Sequence, residues 1–373
     1  MFRFAAEPGF IKARLDQPDR ATVGFVGLET DLIERWRVIS VLGFCDRLAP
    51  AIAEGRLAVA ELRQAGRVAG TLPTLANMGS MLYWRGELAA AKTVLLEAAE
   101  LRDHMHGRGS SLIIDVNLGT VQRDLGEYSA AQQWLHALIE ELALPAAEGG
   151  DTRTDLVIAQ NHLAQLWLSL GQSGRALALL TADDADVAKV ALRLRARRVA
   201  LRMRAARLSG SAHATLLAQA QALVPAHESA VHRALLELEI GCALPAVAAL
   251  QISQCCLSVS DVLERPGLHL HVATRGVAAA LALGDVAQAE ALAAVATPLL
   301  ETAAPFDIER AEVWLTLAAL HRAQGRPAAA ALLQHGAQWL QDTAAHGVAA
   351  ADRQAFLHGP GPNARLWVST AAG

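Results

Sequence analysis

Apolar and small residues recur at helical spacing through most of the chain, and the pattern breaks and restarts at glycines. Leu112–Leu180 shows this most regularly, as two helix–turn–helix units written on one template. Their turns are Gly126 and Gly171; seven residues earlier stand Gly119 and Ala164, five later Ala131 and Ala176, nine later Leu135 and Leu180. Small residues at these offsets let two antiparallel helices approach closely, and the leucine fills the gap between hairpins. The glycine ends the first helix, because the residue that follows a helix often needs a left-handed backbone. Ser129 with Gln132, and Thr152 with Asp155, fit capping boxes.

The template recurs around Gly86 (Gly79, Ala91, Leu95), Gly284 (Gly276, Ala289) and Gly325 (Ala318, Ala330). Ahead of it, Leu28–Leu42 reads as a helix with Leu32, Trp36, Val38 and Ile39 on one side, ended by Gly43, and a second helix runs from Pro50 to about Gln64. The pattern loosens after Ala182: Asp186–Leu208 is a long helix with a turn at Gly210, and Glu228–Ile240 pairs with Ala246–Leu263 around Leu244–Pro245. Asp307 is placed as the N-cap of the helix through Trp314 and Leu320. The turn glycines 86, 126, 171, 210, 284 and 325 are spaced by 40, 45, 39, 74 and 41 residues, the 74 holding two hairpins. These spacings exceed the roughly 34-residue tetratricopeptide period, but the small-residue offsets favour a tetratricopeptide-like unit with lengthened helices. No segment has strand period. The reading is an all-α, tetratricopeptide-like, right-handed α-α superhelix of about seven to eight hairpins. The array spans residues 25–357, after a loosely ordered segment 1–24 and before a Gly/Pro-rich tail, 358–373.

Composition narrows the function. The chain is 53% hydrophobic but only 4% aromatic, which implies a core built of Ala, Leu and Val. A net charge of -4 argues against a dedicated nucleic-acid surface. Cys45, Cys242, Cys255 and Cys256 form no C-x-x-C pair and suit buried thiols in a reducing cytoplasm. Residues 1–20 lack the apolar run of a signal peptide, and the apolar window Val277–Leu300, interrupted by Asp285 and Glu290, reads as a buried hairpin instead of a membrane span.

Catalytic motifs are missing. Lys12, Lys92 and Lys189 are the only lysines, and none stands in a phosphate loop, so no nucleotide site is expected; the chain also has no H-E-x-x-H, G-x-S-x-G or G-x-G-x-x-G, so nothing supports another enzyme, and the expectation is no cofactor and no enzymatic activity. His104 with His106, and His269 with His271, lack the convergent ligands a metal needs and read as solvated loop or helix-start residues. Adjacent Cys255 and Cys256 read as core packing. Arg193, Arg195, Arg197, Arg198, Arg202, Arg204 and Arg207 spread around one helix behind Asp183, Asp184 and Asp186. The expectation is a solvated helix with local ion pairs, partly buried through Leu194, Val199 and Leu201; docking of an acidic surface is the alternative.

The residue nine before each turn glycine lies off the hairpin seam and faces the inner side that first helices line. Those residues are Asn77, Asn117, His162, Arg275 and Thr316, all polar in a chain that is mostly Ala and Leu. They are the candidate groove for an extended peptide, with amides for its backbone and Arg275 for an anionic group.

Four stretches resemble a known family: NHLAQLWLSLGQSGRALALL at 161–180, RPGLHLH at 265–271, APFDIERAEVWL at 304–315 and RQAFLHGPGPNARLW at 353–367. Together they resemble the C-terminal helical-repeat region of large bacterial ATP-dependent transcriptional regulators. These are signal-transduction ATPases with numerous domains, often with a bacterial transcriptional activator domain. The resemblance runs from about Leu28 to the C-terminus; in the last stretch Phe356, Leu357, His358 and Asn363 match and Gly359–Pro362 depart. It implies a cytoplasmic sensor module that meets a protein or peptide partner or a small-molecule inducer and does not itself bind DNA. A free-standing adaptor that assembles complexes is the alternative.

Overall fold

The computed structural model describes residues 47–106, 112–144, 152–182, 189–226, 229–260 and 264–371, with residues 38, 39, 42, 43 and 187 besides. The expected segment 1–24 and most of the helix expected over Leu28–Leu42 lie outside these residues. Helix α1 (Leu48–Gln64) leads into paired helices: α2 (Val68–Trp84) and α3 (Leu88–His106), α4 (Leu112–Asp124) and α5 (Tyr128–Ala143), α6 (Arg153–Ser169) and α7 (Ser173–Thr181), α8 (Leu192–Leu208) and α9 (Ala214–Leu223). Then come α10 (Ala230–Gly241) and α11 (Ala246–Ser260), α12 (Pro266–Ala282) and α13 (Val286–Ala296), α14 (Arg310–Ala323) and α15 (Ala328–His346), and finally α16 (Arg353–His358) and α17 (Pro362–Ala371). Within a pair the helices pack as a hairpin, each second helix packs on the next first helix, and α2, α4, α6, α8 and α10 also touch in sequence. The described chain is an all-α helical-repeat superhelix. No described helix is long and apolar enough to cross a membrane.

The six expected turn glycines all adopt positive φ, between 65° and 84°, as does Gly66 between α1 and α2. At Gly126 the Schellman-type bonds are visible: its N–H reaches Arg123 O and the next N–H reaches Gln122 O at 2.7 Å. The seam follows the offsets. A Cβ added at Gly119 would stand 2.8 Å from Leu135 Cγ, and one at Gly79 would stand 2.5 Å from Leu95 Cγ. In both hairpins, and for Gly276 with Leu292, the close residue precedes its leucine by sixteen positions. Around Gly325 the second helix is one residue out of register. Pro327 delays the start of α15, so Ala329 is buried and Ala330, expected at the seam, is exposed.

Three expected caps are used otherwise. Helix α5 begins at Tyr128, so Ser129 sits inside its first turn, and its N–H and hydroxyl both donate to Gly347 O at 2.8 and 3.1 Å. Thr152 is the N-cap of α6, yet its hydroxyl donates to Leu142 O at 3.3 Å. Glu309, not Asp307, precedes α14. In the first two cases the hydroxyl donates its proton to a carbonyl of another element, and its oxygen caps no N–H of the following turn.

The C-terminal helices close the array on itself. Residues 358–371, expected as a tail, hold α17, which starts with Pro362 and buries Leu366 against Gly336 of α15. Gly347 lies against the Gly126 turn, and Gly359 against the Gly171 turn. Gln172 donates to Asp352 at 2.6 Å and Asn363 donates to Ser169 O at 3.2 Å. Tyr128, Phe356 and Trp339 stack in a row between the two ends of this closure. The core around them joins residues of α4–α8 to residues of α14–α17.

Candidate functional site

The first helices meet through polar rungs. Ser80 of α2 donates its hydroxyl to Ala76 O one turn back, and accepts from Asn117 Nδ2 of α4 at 2.6 Å. Thr120 repeats the arrangement: it donates to Val116 O at 2.7 Å and meets His162 Nδ1 of α6 at 2.9 Å. A hydroxyl has one proton, so His162 Nδ1 carries the hydrogen here. Farther along, Arg197 of α8 donates to Gln165 Oε1 of α6 at 2.6 Å, Arg204 pairs with Glu239 of α10 at 3.0 Å, and Arg275 of α12 pairs with Glu312 of α14.

The five candidate groove residues are thus spread along the array on different helices. All five are half-buried. Asn117, His162 and Arg275 each bridge to a neighbouring first helix, Arg275 also donating to His271 Nε2 at 3.3 Å. Asn77 and Thr316 lie on α2 and α14. No two of these five are joined by a described hydrogen bond.

What converges instead is a non-helical segment, residues 303–309, between α13 and α14. Its Phe306 N–H donates to Gly267 O at 2.9 Å, and the Phe306 ring packs on Tyr83 with centroids 5.7 Å apart. Asp307 follows with φ of 67°, the only non-glycine positive φ among the described residues. That region is steep for most side chains and mildest for Asn and Asp. Its carboxylate takes both arms of the Arg197 guanidinium, Nη2 at 2.6 Å, and Gln165 Nε2 at 2.6 Å; its backbone carbonyl accepts from Arg204. Asp307 is 5% exposed. Burial alone would raise its pKa, but Arg197 and Arg204 outweigh that and hold it well below the usual carboxylate range.

A second charged cluster adjoins it. Glu239, 3% exposed, takes Arg204 and Arg207. Burial works against its charge, and Arg204, Arg207 and Arg275 together bring it down to about 2. His271, expected as a solvated helix-start residue, is buried here, and burial with the neighbouring Arg275 keeps it neutral. His162 is lowered to about 3 by burial, then by Arg197 and Arg123. On the other side of Asp307, Arg123 and the Tyr83 hydroxyl hold Asp124 at 2.7 and 3.0 Å. A small cleft, with a volume of about 20 Å³, opens there, lined among others by Arg123, Tyr128, Gln165, Glu309, Arg310 and Trp339. Arg123 Nη1 is buried at its edge with no partner.

The arginine-rich helix is therefore largely drawn into the fold and is not solvated along its length. Arg193 is exposed, but Arg198 is 1% exposed and donates to the Leu179, Leu180 and Ala182 carbonyls and to Gln160, capping the end of α7. Arg197, Arg204 and Arg207 serve the two buried clusters. Asp183, Asp184 and Asp186 lie outside the described residues. The sequence carried one signal of this: apolar Leu194, Val199 and Leu201 interleave with the arginines, so some guanidinium groups had to face inward. The role of Asp307 had no such signal, because its partners lie more than a hundred residues away in the chain.

Chemically, the site binds carboxylate at Asp307 and Glu239, while burial raises the pKa of two other carboxylates beside the cleft, Asp124 and Glu309. Asp307 and Glu239 are ionised and saturated with guanidinium, and the buried histidines are neutral. Cys256 is buried and its thiol is pushed up to about 12, first by burial and then by Glu237; Cys255 is exposed. Among the described residues no three His, Cys, Asp or Glu side chains stand where they could share a metal ion.

No family model matches the chain, and no curated protein matches it. Among solved structures it is similar to a tetratricopeptide repeat protein from Parabacteroides merdae, at 14% identity and a TM-score of 0.35, over 92% of this chain and 98% of that one.

Proposed function

We propose that the chain is a non-catalytic protein-interaction and sensor module, the regulatory repeat part of a bacterial ATP-dependent transcriptional regulator. The observation that carries the interaction role is the inner face itself. Successive first helices set a continuous row of polar rungs around a guanidinium clasp that holds a carboxylate from a distant segment. Such a face reads extended chain and charge. Asn77, Asn117, His162, Arg275 and Thr316 are its partner-facing positions in this reading, and the sensor role follows from a face whose ionic contacts an inducer can exchange. The regulator context comes from the sequence resemblance alone.

The test is copurification of the tagged chain from its source cells, beside the double variant Asn77→Ala with Asn117→Ala. A partner captured by the parent and lost from the variant at unchanged melting temperature supports the groove. A partner retained by the variant removes those asparagines from the interface. A DNA-binding ATPase continuous with this chain supports the regulator; capture of separate proteins, with no ATPase, supports a free-standing adaptor.

A further inference from the structure

Asp307 is recognised as a ligand would be. Its side chain and its backbone carbonyl are both held, by Gln165, Arg197 and Arg204, and all three come from α6 and α8. Arg197 takes the carboxylate with both arms, the geometry that selects a planar anion. One residue earlier, Phe306 lays its ring on Tyr83 of α2 and its N–H on the start of α12. So a short non-helical run of aromatic then aspartate is read by four different repeats. The run belongs to none of the helices that read it, and it is bent at Asp307 into a left-handed backbone.

We infer that the inner face at α2, α6 and α8 is a receptor for an extended acidic segment with an aromatic–aspartate step, and that residues 303–309 fill it in cis. The partner is a protein segment of that chemistry, which enters when the chain's own segment leaves. The small cleft at Arg123, Glu309 and Arg310 lies directly beside Asp307, so one edge of the clasp meets the surface there. The buried, unpartnered Arg123 Nη1 at its edge is a free donor for an additional acceptor on the incoming segment. An occupant tethered in cis has a high effective concentration, so the parent protein masks the site. This deepens the interaction-module reading and rests on it.

The probe is a fluorescein-labelled peptide with the sequence of residues 302–310, TAAPFDIER, measured by anisotropy on purified full-length protein. Asp307→Ala frees the clasp, and the peptide is expected to bind this variant at least about tenfold more tightly than the parent, since the competent fraction rises. Replacing the peptide's aspartate by alanine, or adding Arg197→Gln to the protein, abolishes binding. Circular dichroism confirms folding, and Asp307→Asn, which keeps the side-chain shape, is the second variant if Asp307→Ala does not fold. Equal affinity of parent and variant, or equal affinity for the alanine peptide, overturns the proposal. Failure of both variants to fold overturns it too, because the segment is then part of the core. Copurification does not enter this measurement, so a failed groove in cells and a failed clasp in vitro are separate results.

Discussion

The hairpin seam at Gly119–Leu135 and the clasp at Asp307 hold the molecule together in opposite ways. The seam is local: a glycine and a leucine sixteen positions apart touch, and nothing polar is involved. Each methyl group there contributes by burial, and neighbouring hairpins repeat the same contact. The clasp is unique and long-range, and its charges are sheltered from water. Taking those charges out of water is costly, and only full mutual pairing offsets it. The seam therefore tolerates gradual change, while the clasp fails when one member is removed.

The largest expected effect breaks the ionic side of this comparison. Arg204→Met strands Asp307 and Glu239 with one guanidinium fewer, and should cost about 3–5 kcal/mol. Urea denaturation measures it; a cost under about 1 kcal/mol would show the cluster to be wetter than its burial implies. Next, Ala131→Leu or Ala176→Leu overpacks the seam and should cost about 1–3 kcal/mol each. Both alanines are fully buried, and an unchanged melting temperature for both would remove the seam as a tight contact.

Acid separates the two regions further. Glu239 has a folded pKa lowered to about 2, so its stabilisation is present above the unfolded value near 4.5 and is lost as pH falls toward 2. His162 and His271 are also lowered, so below pH 6.5 the unfolded chain takes up protons that the fold refuses. Stability should fall from pH 6.5 downward, and His162→Gln should make that slope shallower in pH-dependent urea titrations. The same slope in parent and variant would mean that His162 titrates normally. The smallest effect is chemical: iodoacetamide at pH 8 should label Cys255 well before Cys256, read by peptide mass spectrometry, because only Cys255 is exposed and burial keeps the Cys256 thiol protonated. Labelling of both at one rate would mean that α11 opens on the time scale of the reaction.

Local geometry made the repeats legible. Turn glycines with positive φ, small residues one helical register away and the leucine between hairpins are all requirements of neighbours in sequence, so Gly126 and Gly171 announce their roles. The inner face was half legible. Nine residues before the turn did pick half-buried polar positions, and Asn117 and His162 do bridge first helices. What they bridge to, Ser80 and Thr120, depends on how successive hairpins stack. Capping assignments failed at Ser129 because α5 starts before it, at Tyr128, and at Asp307 because Glu309 stands at the N-cap while the Asp307 carboxylate is taken by the distant Arg197 and Gln165.

The sequence by itself determined the helices, their pairing and the apolar seam, since each follows from contacts within one or two turns of a helix and its immediate successor. Only the tertiary structure decided where the charges went. Closing the array brought Gly347, after α15, onto the Gly126 turn and Gly359, after α16, onto the Gly171 turn, and Asp307 lies buried inside. A buried carboxylate has to find its partners wherever the fold provides them, and for Asp307 its cations stand on α8 and its amide donor, Gln165, on α6, two helices that helical periodicity places in their own hairpins but not beside this segment.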